Sequence, residues 1–231
     1  MSADVTNTVD VATGANVEVA VAQTGLTLNV AGTATTDEVN VSVAKDTDLT
    51  GTGIEVTNIA VTDDVTFAQI ATGDKVVLTG ASDVTVTTTD SDDFDASAFT
   101  GELTLTAGAD GDIKGGTGAN NITLSTGFDI EYTGGAGVDT VDADDWTATD
   151  IFAMGLGGGN DVVEMAGAVD GTVVIDGGAG TDTIMVADGT DTTSATLTLT
   201  LANVEKVELE NITVGTDDTG AGATDLTVAG S

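Results

Sequence analysis

The chain has 231 residues and sets 39 acidic side chains against 4 lysines, a formal charge of −35, with no arginine, histidine, cysteine or proline. That charge repels nucleic acid and anionic membranes and favours cations as partners. The missing cysteine and histidine exclude disulfides, thiolate metal sites, and Ser–His or Cys–His nucleophile systems.

The opening stretch, "MSADVTNTVDVATG", has neither a basic segment nor a long apolar run, so it does not read as a Sec-type signal. No apolar run approaches the ~18 residues of a membrane span. Residues 1–88 then alternate with period two. Val17, Val19 and Val21 fall on one side of "NVEVAVA", as do Leu26, Leu28 and Val30 of "LTLNV", and Val39, Val41 and Val43 of "EVNVSVA". "IEVTNIAV", "KVVLTG" and "DVTVTTT" continue the series. Alternation in Val, Ile and Thr, punctuated by Gly, Asp and Asn, predicts short half-buried strands. In "SDDFDASAF" (91–99), Ser91 or Asp92 is placed to cap one turn of helix. With 40% apolar residues, 3% aromatics and 31 glycines, the chain suits thin repetitive layers better than a compact globule.

From residue 100 glycine falls in clusters: "KGGTGANNIT" (114–123), "TGGAGVDTVD" (133–142), "GLGGGNDVVE" (155–164) and "DGGAGTDTIM" (176–185). Aligning them superposes Asn120, Asp139, Asp161 and Asp182, at spacings of 19, 22 and 21 residues, which marks an internal repeat. A second series, Asp129, Asp150 and Asp170, lies between these, as expected of two half-turns per coil with the strict loop on one side. Residues 191–231 return to alternation through Leu197, Leu199, Leu201, Val207 and Leu209 and are placed to cap the repeat array. The division read from the sequence is an N-terminal β-strand region (1–90), a glycine-loop repeat region (91–190) and a C-terminal β cap (191–231).

The repeated skeleton Gly-Gly-x-Gly-x-Asp-x-aliphatic has a chemical logic. Glycines admit positive φ and leave carbonyls able to converge. The aspartate supplies a hard oxygen, and the aliphatic residue two positions on faces the same side of a short strand. Stacked turns would line a gap with oxygen alone, a ligand set that suits Ca²⁺ rather than Mg²⁺ or Zn²⁺. The candidate metal ligands are the side chains of Asn120, Asp129, Asp139, Asp150, Asp161, Asp170 and Asp182, with main-chain oxygens of Gly115, Thr117, Gly134, Ala136, Gly158, Gly177 and Ala179. Asn120 offers an oxygen without charge, which predicts a weaker site there or none.

The nonapeptides at 134–142 and 177–185 match every fixed position of GGxGxDxUx (U aliphatic), "LGGGNDVVE" lacks only the first glycine, and "GGTGANNIT" carries Asn for Asp. In this the chain resembles the RTX proteins, whose parallel β-roll binds calcium between coils. The stretches 94–112 and 198–214 look like segments of proteobacterial surface-layer proteins that carry such repeats. The resemblance implies an all-β parallel β-roll or β-solenoid, export by a type I secretion system, and folding triggered outside the cell by calcium. RTX blocks repeat every nine residues, and the longer coils here imply fewer ions, mainly along one side.

With 39 acids to choose from, no carboxylate pair stands out as catalytic, and the expectation is a protein without enzymatic activity. The leading expectation is a secreted calcium-binding structural protein that self-assembles into a surface layer or extracellular filament, with copies of itself, calcium and a cell-surface polysaccharide as partners. The alternative is an adhesin or an ice- or carbohydrate-binding solenoid module. Thr-x-Thr at Thr85–Thr87, Thr104–Thr106 and Thr196–Thr198 motivates it. Tyr132 and Trp146 are its only large polar aromatics.

Overall fold

The computed structural model describes residues 6–20, 23–30, 37–71, 74–88, 93–108, 110–124, 130–144, 152–166, 171–187, 196–210 and 225–230. Every regular element among them is a strand. Among the described residues the chain alternates between two sheets of eleven strands each, and within each sheet every strand pairs in parallel with the strands of the coils next to it. A third sheet holds two short strands, Gly158–Gly159 and Ala179–Gly180. This is a parallel β-solenoid, as the repeat predicts. Strands from all three sequence segments, from Thr6–Val11 to Asp225–Gly230, enter the same two large sheets.

Side-chain alternation sets which face is buried. Glu38–Val43, Leu103–Ala107, Asn120–Leu124 and Asp139–Ala143 bury every second residue. Parallel register then stacks buried residues into columns. In the first sheet Val86, Leu105, Ile122, Val141, Val163 and Ile184 are successive register partners. None of the six exceeds 1% exposure. In the second sheet Phe94, Ile113, Tyr132, Met154, Ile175 and Leu201 form the facing column. Such columns need one modest side chain per coil, which is why a core with few aromatics suffices.

Ser91 and Asp92, the expected helix caps, lie outside the described residues, and the rest of the stretch, 93–99, is not helical. Asp93–Phe99 is a strand of the second sheet, paired to Lys75–Gly80, with its register shifted between Asp95 and Ala98. Asp95 Oδ1 accepts from the Ser97 N–H at 3.2 Å and the Ser97 hydroxyl at 2.6 Å. Short Asp and Ser side chains bond local backbone at helix caps and bulges alike, so the composition misleads here. Burial of Phe94, Ala96 and Phe99 favours the strand.

Leu199 and Leu201 are buried in the second sheet. Val207 and Leu209 partner the fully buried Ile184 and Val186, yet are themselves 37% and 47% exposed.

Candidate metal site at the glycine-loop edge

One core column changes chemistry along the solenoid. Val65, Val84 and Leu103 are successive register partners, each at most 4% exposed. The next partners of Leu103 are Asn120 and then Asp139. Bonds from the main-chain N–H of one residue to the carboxylate of the next carry the column on to Asp161 and Asp182. Asn120, Asp139, Asp161 and Asp182 are all 0% exposed. The four residues that the sequence repeat aligns are therefore brought together as a buried polar ladder, in positions that hold aliphatic side chains in earlier coils. Val141, two residues beyond Asp139, is also fully buried, on the same side of its strand as the skeleton predicts.

Earlier coils keep their acids one residue further toward the N-terminus, facing out. There Asp64 Oδ1 accepts from the Asp83 N–H at 3.0 Å, and Asp83 Oδ1 from the Glu102 N–H at 3.0 Å, with all three residues exposed. In the glycine-loop coils the acids move inward and the direction reverses. Asp161 Oδ1 accepts from the Asp139 N–H at 2.8 Å, and Asp182 Oδ1 from the Asp161 N–H at 2.9 Å. Glu205, which precedes the strand Lys206–Glu210 as Asp182 precedes Thr183–Ala187, ends the series by accepting from the Asp182 N–H at 2.8 Å.

The second carboxylate oxygens divide the ladder. Asp139 is fully served: Oδ1 accepts from Asn120 Nδ2 at 2.6 Å, and Oδ2 from the Tyr132 hydroxyl at 2.9 Å and the Gly135 N–H at 3.3 Å. Asp161 Oδ2 and Asp182 Oδ2 are buried and have no hydrogen-bond partner. Lys45, Lys75 and Lys206 are paired elsewhere, with Asp63, Asp95 and Glu208. Burying a carboxylate without a partner costs several kcal/mol.

The electrostatics follow. Burial pushes the Asp161 carboxyl up to about 6; the Asp139 N–H opposes the shift, and the negative charges of Asp139 and Asp182 add to it. Burial also raises Asp139, against the Asn120 amide, the Tyr132 hydroxyl and main-chain N–H groups that hold its charge. Burial, then the adjacent Asp139 charge, holds the Tyr132 phenol protonated well above its usual range.

Glycine is required where loops stack. Gly157 and Gly178 have φ of 94° and 85°, and a Cβ on Gly178 would overlap the Gly157 carbonyl of the neighbouring coil. The nonapeptides at 134–142 and 177–185 nevertheless differ in backbone: positive φ and a short strand occur in the second and not in the first. The second shares its conformation with its stacking neighbour at 157–159.

Of the candidate ligands, Asp129, Asp150 and Asp170 lie outside the described residues. Gly158 and Ala179 are register partners, and their N–H groups donate to the Gly135 and Gly157 carbonyls. The N–H groups of Gly115, Thr117, Gly134 and Gly177 likewise pair with carbonyls of adjacent coils. Ala136 stands in the loop that stacks beside Gly158. No three acidic side chains come together as a metal-holding group among the described residues, so a cation here would need main-chain oxygens beside the carboxylates. The donor set fits a hard cation, with two orphaned anionic oxygens and no nitrogen or sulfur ligand. Sequence reasoning missed Glu205 and the Tyr132–Asp139 bond. The signal for Glu205 is an acid directly before an alternating strand; Tyr132, singled out in the sequence as a polar aromatic for a binding surface, is instead 0% exposed, and Trp146 lies outside the described residues.

Fold and site together define a two-sheet parallel β-solenoid with a buried carboxylate ladder along its glycine-loop edge. Comparison of the chain with protein-family models, with curated proteins and with solved structures found no match.

Proposed function

We propose that this chain is a secreted calcium-binding structural protein that assembles into a surface layer or extracellular filament. The observation that carries this reading is the pair of buried, unpartnered oxygens, Asp161 Oδ2 and Asp182 Oδ2, on adjacent coils of the glycine-loop edge. Calcium supplies the missing positive charge and accepts oxygen ligands in flexible number. Without it, Asp161 and Asp182 repel across one coil spacing and oppose closure. At free calcium tenfold above its Kd, each site adds about 1.4 kcal/mol of stability. That dependence suits passage through a type I secretion system in the unfolded state, with folding in calcium-rich surroundings outside the cell. For assembly, the support is the exposure of Val207 and Leu209 in otherwise buried columns, which a second copy would cover, and a −35 charge that calcium can bridge between copies. Thermal melts followed by circular dichroism, with calcium and with chelator, test the folding half of the reading, and electron microscopy of the same samples tests the assembly half. A lower melting point and dissolved polymers in chelator are expected. Identical melts and a monomer under both conditions would refute it.

A second reading rests on a different surface. Thr85 and Thr87 are register partners of Thr104 and Thr106, flanked in register by Thr66 on one side and by Asn121 and Thr123 on the other. These residues alternate with buried ones and so face outward. An outward array of threonines in register across adjacent strands supports an ice- or carbohydrate-binding module. Thermal hysteresis that is lost in Thr85→Leu and Thr104→Leu would select it.

A further inference from the structure

The first rung of the ladder differs from the rest in having both carboxylate oxygens of Asp139 served, and the group that serves Oδ1 is an amide. Asn120 Nδ2 donates to the Gly116 carbonyl at 3.1 Å, the Gly118 carbonyl at 3.2 Å and Asp139 Oδ1 at 2.6 Å. Asn120 Oδ1 accepts from the Gly116 N–H at 2.8 Å, which fixes the orientation of the amide. Two glycine carbonyls of one coil and a carboxylate of the next thus converge on one nitrogen carrying two hydrogens. Asn120 and Asp139 are 0% exposed and Gly116 is buried, while Gly118 is half-buried. An oxygen set of that kind, two neutral main-chain oxygens with an anionic one, is what a hard cation takes. Two coils on, Asp161 Oδ2 has no donor at all.

We infer that the Asn120 amide occupies the place of a cation at the first rung, so that this interval never takes metal and Asn120→Asp turns it into one further calcium site. The inference rests on the calcium reading above. Substituting aspartate removes both N–H donors and sets a second carboxylate against Asp139 Oδ1. The same two glycine carbonyls then face two anions, a cluster that at neutral pH calls for a bound cation. The amide has a structural consequence as well: the coil 115–120 closes without metal and joins the aliphatic coils before it to the carboxylate coils after it.

The test is calcium stoichiometry of the whole chain by isothermal titration calorimetry, on wild type, Asn120→Asp and Asn120→Leu. The leucine variant copies Leu103 of the preceding coil and controls for disturbance of the rung. Asn120→Asp is expected to bind one more calcium per chain than wild type and to melt lower than wild type in chelator, with the deficit closed by calcium. Asn120→Leu is expected to bind the same number as wild type. Should Asn120→Asp be unfolded in chelator, the count is taken from its calcium-driven refolding by circular dichroism. Equal stoichiometry in wild type and Asn120→Asp, with wild type binding calcium, overturns the inference and leaves the calcium reading standing. A wild type that binds none, with no gain in Asn120→Asp, overturns both.

Discussion

The main-chain N–H of Asp161 donates to Asp182 Oδ1 at 2.9 Å, while the remaining oxygen of each carboxylate is buried and has no donor. Adjacent coils are thus joined by their acids on one side and held at odds on the other. Asp161→Asn keeps the Oδ1 acceptor and removes the charge, and its amide can turn to glycine carbonyls as Asn120 does. We expect this variant to gain about 1–3 kcal/mol in chelator, the usual penalty of an unsatisfied buried polar group, and to lose calcium response. Urea denaturation with and without calcium measures both.

A pH dependence follows from the raised carboxyl of Asp161, pushed up to about 6 from 3.8. In that window the folded state binds more protons than the unfolded chain, so stability falls as pH rises. In chelator the wild type should therefore lose stability between about pH 4 and 6 relative to Asp161→Asn. Calcium competes with the proton, so its affinity should weaken as pH drops through the same range. Parallel melts of the two proteins across pH check the sign.

Gly178→Ala places a Cβ at a positive φ and against the Gly157 carbonyl. A loss of about 2 kcal/mol or more is expected, combining left-handed strain with overlap. Gly155→Ala meets open space at ordinary φ and should fall within about 0.5 kcal/mol of wild type. Chemical denaturation of the pair separates glycines that the stacking requires from those it tolerates.

Tyr132→Phe removes the hydroxyl that donates to Asp139 Oδ2 and leaves only the longer Gly135 N–H bond at 3.3 Å. The expected cost is about 1–3 kcal/mol, because the acceptor stays buried. Tyr132 is fully buried, so a cost near zero would mean that the hydroxyl contributes nothing to holding the Asp139 charge.

Much of this was legible in the residues. Period-two alternation located Val39, Val41 and Val43 as core, and all three are at most 1% exposed. The spacing of Asn120, Asp139, Asp161 and Asp182 anticipated that they stack. It did not reveal that their column continues Val65, Val84 and Leu103, because the earlier coils carry no glycine loop to mark the register. Alternation alone cannot tell parallel stacking from hairpins, so nothing in residues 1–88 identified the same solenoid there. The bulge at Asp95 was hidden because Asp and Ser serve turns, caps and bulges alike. The fixed positions shared by the two nonapeptides did not carry to their backbones, and the second matches its stacking neighbour at 157–159 instead.

The most direct test is anomalous diffraction from crystals grown in calcium. The account predicts an anomalous peak between the coils of Asp161 and Asp182, within about 2.3–2.6 Å of at least one of their Oδ2 atoms, and none between Asn120 and Asp139. Well-ordered carboxylates at Asp161 and Asp182 with no peak between them would contradict it.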